Sequence, residues 1–279
     1  MTKREFVDCN ICRIDNTRDI WSNREHRIVQ CRRCGLVYAN PRQCKDDLNK
    51  IYSRDYFLNY YIENRESRLE YFHRLFQDMP LEKREGRILD VGCGVGFFLK
   101  VARDCGWETY GVEPARYAAE FGQKEYGLSI YCGLLGEVHY KDNFFDVVTI
   151  WDVLCSVQDP MSILREVFLV LKDGGTVIIK VPNRPSIIFL IARILSLFMN
   201  AKGLLHLPAQ IYQFTPKTLS NMMERINLKI FQVTYINEVK KKRYAQNRFK
   251  NILLMLFNLV IYKLMGLKES FIVYAKKTS

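Results

Sequence analysis

Residues 87–105 hold the pattern that most limits what this chain can become. Arg87-Ile88-Leu89-Asp90-Val91 reads as a buried parallel strand. It passes straight into Gly92-Cys93-Gly94-Val95-Gly96 and then into a helical run from Phe97 to Cys105. A strand that turns through glycines into a helix belongs to an open α/β sheet, with parallel strands and helices on both faces. The glycines let the backbone pass close under a ligand and let the helix pack on the strand. The helix N-terminus then offers unpaired N–H groups to a polar or anionic ligand.

One glycine-rich turn is a weak signal, so its surroundings decide. The dinucleotide fingerprint G-x-G-x-x-G needs glycine at its sixth position, and counting from Gly92 that position is Phe97. No Lys-Ser/Thr pair follows to complete a phosphate loop. Instead an acid precedes the glycines, as Asp90-x-Gly92-x-Gly94-x-Gly96. A carboxylate at a strand end beside a glycine loop suits a ligand with an ammonium group. The next strand, Thr109-Tyr110-Gly111-Val112-Glu113, ends in a second acid 21 residues after Gly92. A carboxylate there accepts both hydroxyls of a ribose. An unphosphorylated adenosine that carries an amino acid fits both acids.

A metal-binding pattern precedes this core. Cys9-x-x-Cys12 is followed, after 18 residues, by Cys31-x-x-Cys34, the sequence form of a zinc ribbon. Each pair on a tight turn points both sulfurs at one point, and four thiolates complete a tetrahedron. Gly35 follows Cys34, where such turns commonly need a positive φ. A segment of about 40 residues is too small for a core of its own, so the metal supplies folding free energy. Cys44, Cys93, Cys105, Cys132 and Cys155 have no such pairing and read as small core or loop residues. Between ribbon and core, Tyr52, Tyr56, Phe57, Tyr60, Tyr61, Tyr71, Phe72 and Phe76 stand among charges. Apolar residues at 69, 72, 75, 76 and 79 predict a helix over 62–79 that Pro80 ends, forming a lid or bridge.

The nine cysteines follow no apolar leader, since Met1-Thr2-Lys3-Arg4-Glu5 runs into polar sequence. Reduced thiols and a cytoplasmic location are the expectation. Apolar residues make up 48% of the 279 and charged residues 26%, which excludes a mainly disordered chain. The apolar runs Ile187–Met199 and Ile252–Tyr262 fall short of the roughly 20 residues a spanning helix needs. The formal net charge of +12 points to an anionic partner. It is unevenly spread: residues 1–86 hold 17 Lys/Arg against 14 Asp/Glu, residues 87–180 hold 9 against 13, and residues 181–279 hold 16 against 3. The excess lies in the last third.

With these residues in place, the sequence resembles the class I S-adenosylmethionine-dependent methyltransferases, which carry D-x-G-x-G-x-G after strand one and an acid ending strand two. Phe145–Leu154 is similar to the family's fourth strand, and Asp159–Val167 to the helix after it. Leu171–Val177 resembles the L-K-P-G-G turn into strand five, and Phe214-Thr215-Pro216-Lys217-Thr218-Leu219 the F-[ST]-x-x-[ST]-L helix start. Cys31–Pro41 looks like the ribbon that precedes a subset of bacterial methyltransferases. The resemblance implies an α/β doubly wound, Rossmann-like sheet of seven strands, the last antiparallel, behind a small N-terminal zinc ribbon. It divides the chain into a ribbon at 1–45, an aromatic-rich helical linker or lid at 46–84, and a methyltransferase domain at 85–279 with a substrate-lid insertion at 185–213.

The resemblance also implies roles. Asp90, Gly92, Cys93, Gly94 and Gly96 hold the methionine end of S-adenosylmethionine. Glu113 holds the ribose, with Pro114 beside it. Leu134 and Leu135 flank the adenine, and Trp151 and Asp152 face the sulfonium and its methyl group. Cys9, Cys12, Cys31 and Cys34 hold structural zinc. The implied reaction is methyl transfer to a small-molecule, sugar or lipid-linked glycan acceptor. The alternatives are an RNA methyltransferase that grips phosphates through the ribbon and the C-terminal lysines, and a non-catalytic S-adenosylmethionine-binding protein.

Relatives usually continue strand four as V-L-E-H-[VI]-x-D-P. Here it reads Val153-Leu154-Cys155-Ser156-Val157-Gln158-Asp159-Pro160. The missing Glu-His pair speaks against a metal-assisted or His-based mechanism at that point. The remaining base candidates are Asp152 and His206, with Tyr212 third; a base matters only where the acceptor holds a proton at neutral pH. In the basic C-terminal third, Ser186–Asn200 and Phe249–Leu264 read as apolar helices, the second preceded by Lys240-Lys241-Lys242-Arg243. They are read as a substrate lid and a packing helix, or as peripheral contacts with the inner membrane face through 186–200 and 240–265. The charge distribution favours an anionic, lipid-linked acceptor over a long nucleic acid.

Overall fold

The structure is a computed structural model that describes residues 4–44, 52–83, 85–183, 209–236 and 268–278. The expected lid insertion, His206 and both apolar C-terminal segments lie largely or wholly outside the described residues. Among the described residues no helix is long and apolar enough to cross a membrane.

Short strands open the chain: β1 (Arg4–Glu5), β2 (Thr17–Ser22), β3 (Arg27–Cys31), β4 (Val37–Ala39) and β5 (Arg42–Gln43). Two helices follow. Ser53 caps α1 (Arg54–Tyr60) by accepting from the Tyr56 N–H. A 3-10 turn at Ile62–Asn64 then leads into α2 (Arg65–Gln77). The helix expected over 62–79 is therefore one tight turn followed by a shorter α-helix.

The main domain alternates strand and helix: β6 (Arg87–Val91), α3 (Phe97–Asp104), β7 (Glu108–Glu113), α4 (Arg116–Tyr126), β8 (Ser129–Cys132), the single turn α5 (Leu135–Val138), β9 (Phe145–Trp151), α6 (Pro160–Val170) and β10 (Leu171–Pro182). It closes with β11 (Tyr212–Gln213), α7 (Pro216–Glu224), β12 (Leu228–Ile236) and β13 (Ser270–Lys277). Two helix starts follow directly from sequence. Asp159 caps α6 by accepting from the Ser162 N–H, with Pro160 at the first turn. Thr215 and Thr218 form a reciprocal cap on α7, with Pro216 between them.

Seven of the described strands form one sheet in the order β12-β13-β10-β9-β6-β7-β8. The five from β10 to β8 are parallel, while β13 runs antiparallel to both β10 and β12. This is the doubly wound sheet the resemblance implied, including the antiparallel last strand. Its central strands are apolar on both faces because helices cover both. Leu89, Val148, Val177, Ile179 and Val273 face one core, beneath α6 and α7. Their neighbours Ile88, Val147, Ile178 and Ile272 face the other, beneath α2 and α3.

The ribbon is sewn into this domain. Its sheet runs β2-β3-β4-β11, so its outer strand comes from residues 212–213. Ribbon residues Ile11, Trp21, Leu36 and Tyr38 share one apolar core with Leu154, Met161 and Phe214. The ribbon thus gains burial from the main domain as well as from any metal.

Candidate active site

In a doubly wound sheet, ligands bind beyond the carboxyl ends of the strands where the strand order reverses. Here that crevice lies between β6 and β9. The loop after β6 carries Gly92, Gly94 and Gly96 at φ of 72°, 55° and 82°, a left-handed run that L-side chains rarely adopt. Their surroundings differ. A Cβ on Gly92 would strike the Val153 side chain, and one on Gly96 would lie 2.5 Å from Leu128 Cδ1. A Cβ on Gly94 would meet only Phe57 Cε1, at 3.8 Å. Gly92 and Gly96 therefore serve packing, and Gly94 leaves open space under Phe57.

Glu113 ends β7 beside this space and is buried. Its Oε2 accepts the Gly94 N–H at 2.8 Å and its Oε1 accepts the Ala115 N–H at 2.8 Å. The carboxylate is locked in place with lone pairs left for a diol. Burial raises its pKa, against the two N–H bonds. Asp90 is 1% exposed and accepts the Thr149 hydroxyl at 2.8 Å. Burial pushes its carboxyl well up, against the Thr149 bond and with added repulsion from Glu113. Two desolvated acids side by side call for a cationic ligand. Burial likewise raises the Cys93 thiol.

Across the crevice, Asp152 follows β9 at φ 60°, an unfavourable angle for a non-glycine residue. Its N–H donates to the Lys180 carbonyl at 2.9 Å, and Lys180 Nζ donates back to Asp152 Oδ2 at 2.5 Å. Lys180 is 6% exposed. The sequence reading missed it, although a lysine inside Thr176-Val177-Ile178-Ile179-Lys180-Val181 was a signal that one strand position needs charge. Trp151 turns its ring into the core, 5.1 Å from Phe98 and 5.7 Å from Phe72. Leu135 is buried in the core, whereas Leu134 is exposed at the end of the β8 loop. Tyr212, read as a base candidate, is 1% exposed and donates its hydroxyl to the Gln158 carbonyl at 2.9 Å, so it braces a loop.

The aromatic linker forms the roof. Phe57 is buried with Val95, Phe97 and Ala118. Tyr52 lies near Ser156, and burial raises its pKa to about 12 against the lowering effect of that hydroxyl. Tyr61 stands close enough to Asp152 and Lys180 to feel both charges. It also carries the Arg68 guanidinium 4.0 Å from its ring centre. Tyr52 just before α1, Phe57 within it and Tyr61 just after it thus lie near Ser156, Gly94 and the Asp152–Lys180 pair respectively.

At the far end of the ribbon, the ligand atoms of Cys9, Cys12, Cys31 and Cys34 all lie within 4.8 Å of one another. Tetrahedral zinc with four thiolates needs sulfurs about 3.8 Å apart, so the four residues fit the metal. Gly35 takes φ 81°, as its place after Cys34 requires. Hydrogen bonding from Cys34 lowers the Cys9 thiol to about 5, against burial, while Cys34 and Cys12 are pushed up. Thiolate ligands give up their protons to bind a cation, so metal binding at these four residues would release protons.

A family model described as a methyltransferase domain matches residues 61–233. An uncharacterized methyltransferase of Schizosaccharomyces pombe is 37% identical over 115 residues, 35% of this chain and 40% of that protein. The ubiquinone biosynthesis O-methyltransferase of Pseudomonas fluorescens is 34% identical over 104 residues, 35% of this chain and 45% of that protein. These matches span less than half the length of either relative. Among solved structures, phosphoethanolamine N-methyltransferase 2 of Haemonchus contortus, in complex with S-adenosyl-L-methionine, superposes with a TM-score of 0.60 at 14% identity. That match covers 87% of this chain and 63% of the other.

Proposed function

The chain belongs to the methyltransferase-domain family, and from that membership we propose that it moves a methyl group from S-adenosylmethionine to a small-molecule, sugar or lipid-linked glycan acceptor. The observation that carries this reading is the roofed cradle: a side-chain-free Gly94 between a fixed Glu113 carboxylate and Phe57. When bound, S-adenosylmethionine supplies a methyl carbon on a positively charged sulfur, which the acceptor's lone pair attacks in line as the carbon–sulfur bond breaks. The chain's own residues bind, align and dry the site. Glu113 accepts the ribose hydroxyls. Asp90 and Glu113 together supply the negative field that a cationic ligand offsets. Phe57, Tyr52 and Tyr61 exclude water. Asp152, paired with Lys180, stands at the end of β9 to accept a hydrogen bond or a proton from an acceptor hydroxyl.

The basic balance of residues 181–279 supports an anionic acceptor, and their apolar runs support a lipid-linked one. Zinc in the four-cysteine cluster has a structural role in this reading. Calorimetry with S-adenosylmethionine on the zinc-loaded chain tests the core: one-to-one binding is expected. Glu113→Ala should weaken it roughly 10- to 100-fold, since a charged acceptor is worth about 1.5–3 kcal/mol. No binding by the intact protein refutes the reading. Transfer of labelled methyl to lipid-linked sugars in anionic vesicles, with RNA as the competing acceptor, tests the acceptor class. Label entering RNA alone would overturn it.

A further inference from the structure

We propose that the four-cysteine ribbon is a positioning device for the loop of residues 153–159, which follows Asp152 out of the candidate active site, so that metal occupancy and loop geometry form one linked equilibrium. The proposal rests on the reading above only for the place of Asp152, next before the loop, beside the acceptor. The loop leaves β9 beside Asp152 and carries Ser156, which lies near Tyr52 of the roof. It is gripped from the ribbon at several points. Asn10, inside the first metal-binding turn between Cys9 and Cys12, is 4% exposed. Its Nδ2 donates to Asp159 Oδ1 at 2.9 Å, and its Oδ1 accepts the Met161 N–H at 3.2 Å. Both ends of this amide are therefore committed to the end of the loop and the start of α6. Arg13, next after Cys12, reaches Asp159 Oδ2 at 3.3 Å. Arg42, anchored by Glu5 at 2.9 Å, donates to the Gln158 carbonyl at 2.5 Å and to the Tyr212 hydroxyl at 3.1 Å.

The grip is returned from the other side. The Ile211 and Tyr212 N–H groups both donate to the Cys155 carbonyl, at 2.7 and 3.0 Å. Arg225, following α7, donates to the Ile11 carbonyl within the turn itself at 2.6 Å. The turn that places two of the four sulfurs is thus the same turn that places Asn10. A metal ion holds that turn in one shape. Without it, four thiols share protons in place of one cation, and the turn gains other shapes that carry Asn10 away from Asp159. Because linkage is reciprocal, the factor by which bound metal favours the docked loop is also the factor by which the docked loop favours metal binding, and undocking the loop forfeits up to that factor.

The test uses the full chain loaded with zinc. Chelator competition measures zinc affinity for the unchanged protein, Asn10→Ala and Asp159→Ala, and hydrogen exchange follows residues 153–160 with and without chelator. Asp159→Ala alters no residue near the sulfurs in sequence, yet zinc affinity is expected to fall several-fold, and likewise in Asn10→Ala. Arg42→Lys keeps a cation for Gln158 and should show the smaller loss beside Arg42→Ala. Zinc removal should speed exchange in 153–160 while exchange in β6 and β13 stays unchanged. Unaltered zinc affinity in Asp159→Ala overturns the proposal. So does exchange that rises evenly across the main sheet, because the metal would then hold the fold and not the loop. Failure of S-adenosylmethionine to bind would sink the functional reading and leave these exchange results standing.

Discussion

Two glycines of one loop, Gly94 and Gly96, should fail in different ways when each receives a methyl group. Gly94→Ala adds a Cβ that meets only Phe57, at 3.8 Å, so its cost to the fold is the left-handed backbone alone. That is about 1–2 kcal/mol, or a fall of roughly 2–8 °C in melting temperature for a domain of this size. Gly96→Ala pays the same backbone cost and also drives a methyl to 2.5 Å from Leu128 Cδ1 and 3.3 Å from Ile130 Cδ1. Overpacking a filled core adds about 1–3 kcal/mol, so its fall should be about twice as large. Ligand binding should rank the other way. The new methyl of Gly94→Ala occupies the space between Phe57 and the Glu113 carboxylate, and loss of about 1.4 kcal/mol there is already tenfold in Kd. Calorimetry with S-adenosylmethionine, paired with a thermal melt of each variant, reads both quantities. Gly94→Ala with unchanged affinity would refute the assignment of this space to the ligand, whatever its melting temperature.

Two further outcomes follow from the charges of the site. Burial raises the pKa of Asp90, and of Glu113 to a lesser degree, in the free protein, whereas a cationic ligand favours their ionised forms. Binding should therefore release protons, and affinity should rise with pH until the raised acids are ionised without help. Binding heats measured in two buffers of different ionisation enthalpy should differ; identical heats would contradict this. At Asp152, Ala and Gly substitutions both delete the ion pair with Lys180, but only glycine relieves φ 60°. Asp152→Gly should therefore be more stable than Asp152→Ala in chemical denaturation by up to about 1 kcal/mol, and the reverse order would show that the backbone there is not strained.

Local chemistry made much of the fold legible. The mainly apolar run between Gly86 and Gly92 marked β6, because a strand covered on both faces needs no polar alternation, whereas β9 and β10 were expected from the resemblance. The helix starts at Asp159-Pro160 and Thr215-Pro216, expected from the resemblance, have a local cause, since caps are decided within four residues. The Cys pairs announced their cluster by spacing alone. What escaped depends on distant parts of the chain. The Asp152–Lys180 pair joins the ends of two strands, and neither residue identifies its partner. The roof was expected as a lid, but which rings reach Gly94 and Ser156 is set by how α1 docks against α4. The two-residue β11 is too short to have any periodicity, and it exists because β4 offers it an edge.

That edge has a consequence for how the molecule is made. Tyr38 and Tyr212, which face each other across β4 and β11, are separated by about 170 residues of chain. At 5–20 residues per second, a ribosome takes on the order of 10–30 s to deliver the second after the first. Throughout that interval the ribbon has its four cysteines but only three of its four sheet strands, with the β4 edge open and Tyr38, Leu36 and Ile11 uncovered. The nascent ribbon can acquire its metal early, yet it matures only when the last third of the main domain arrives to close it.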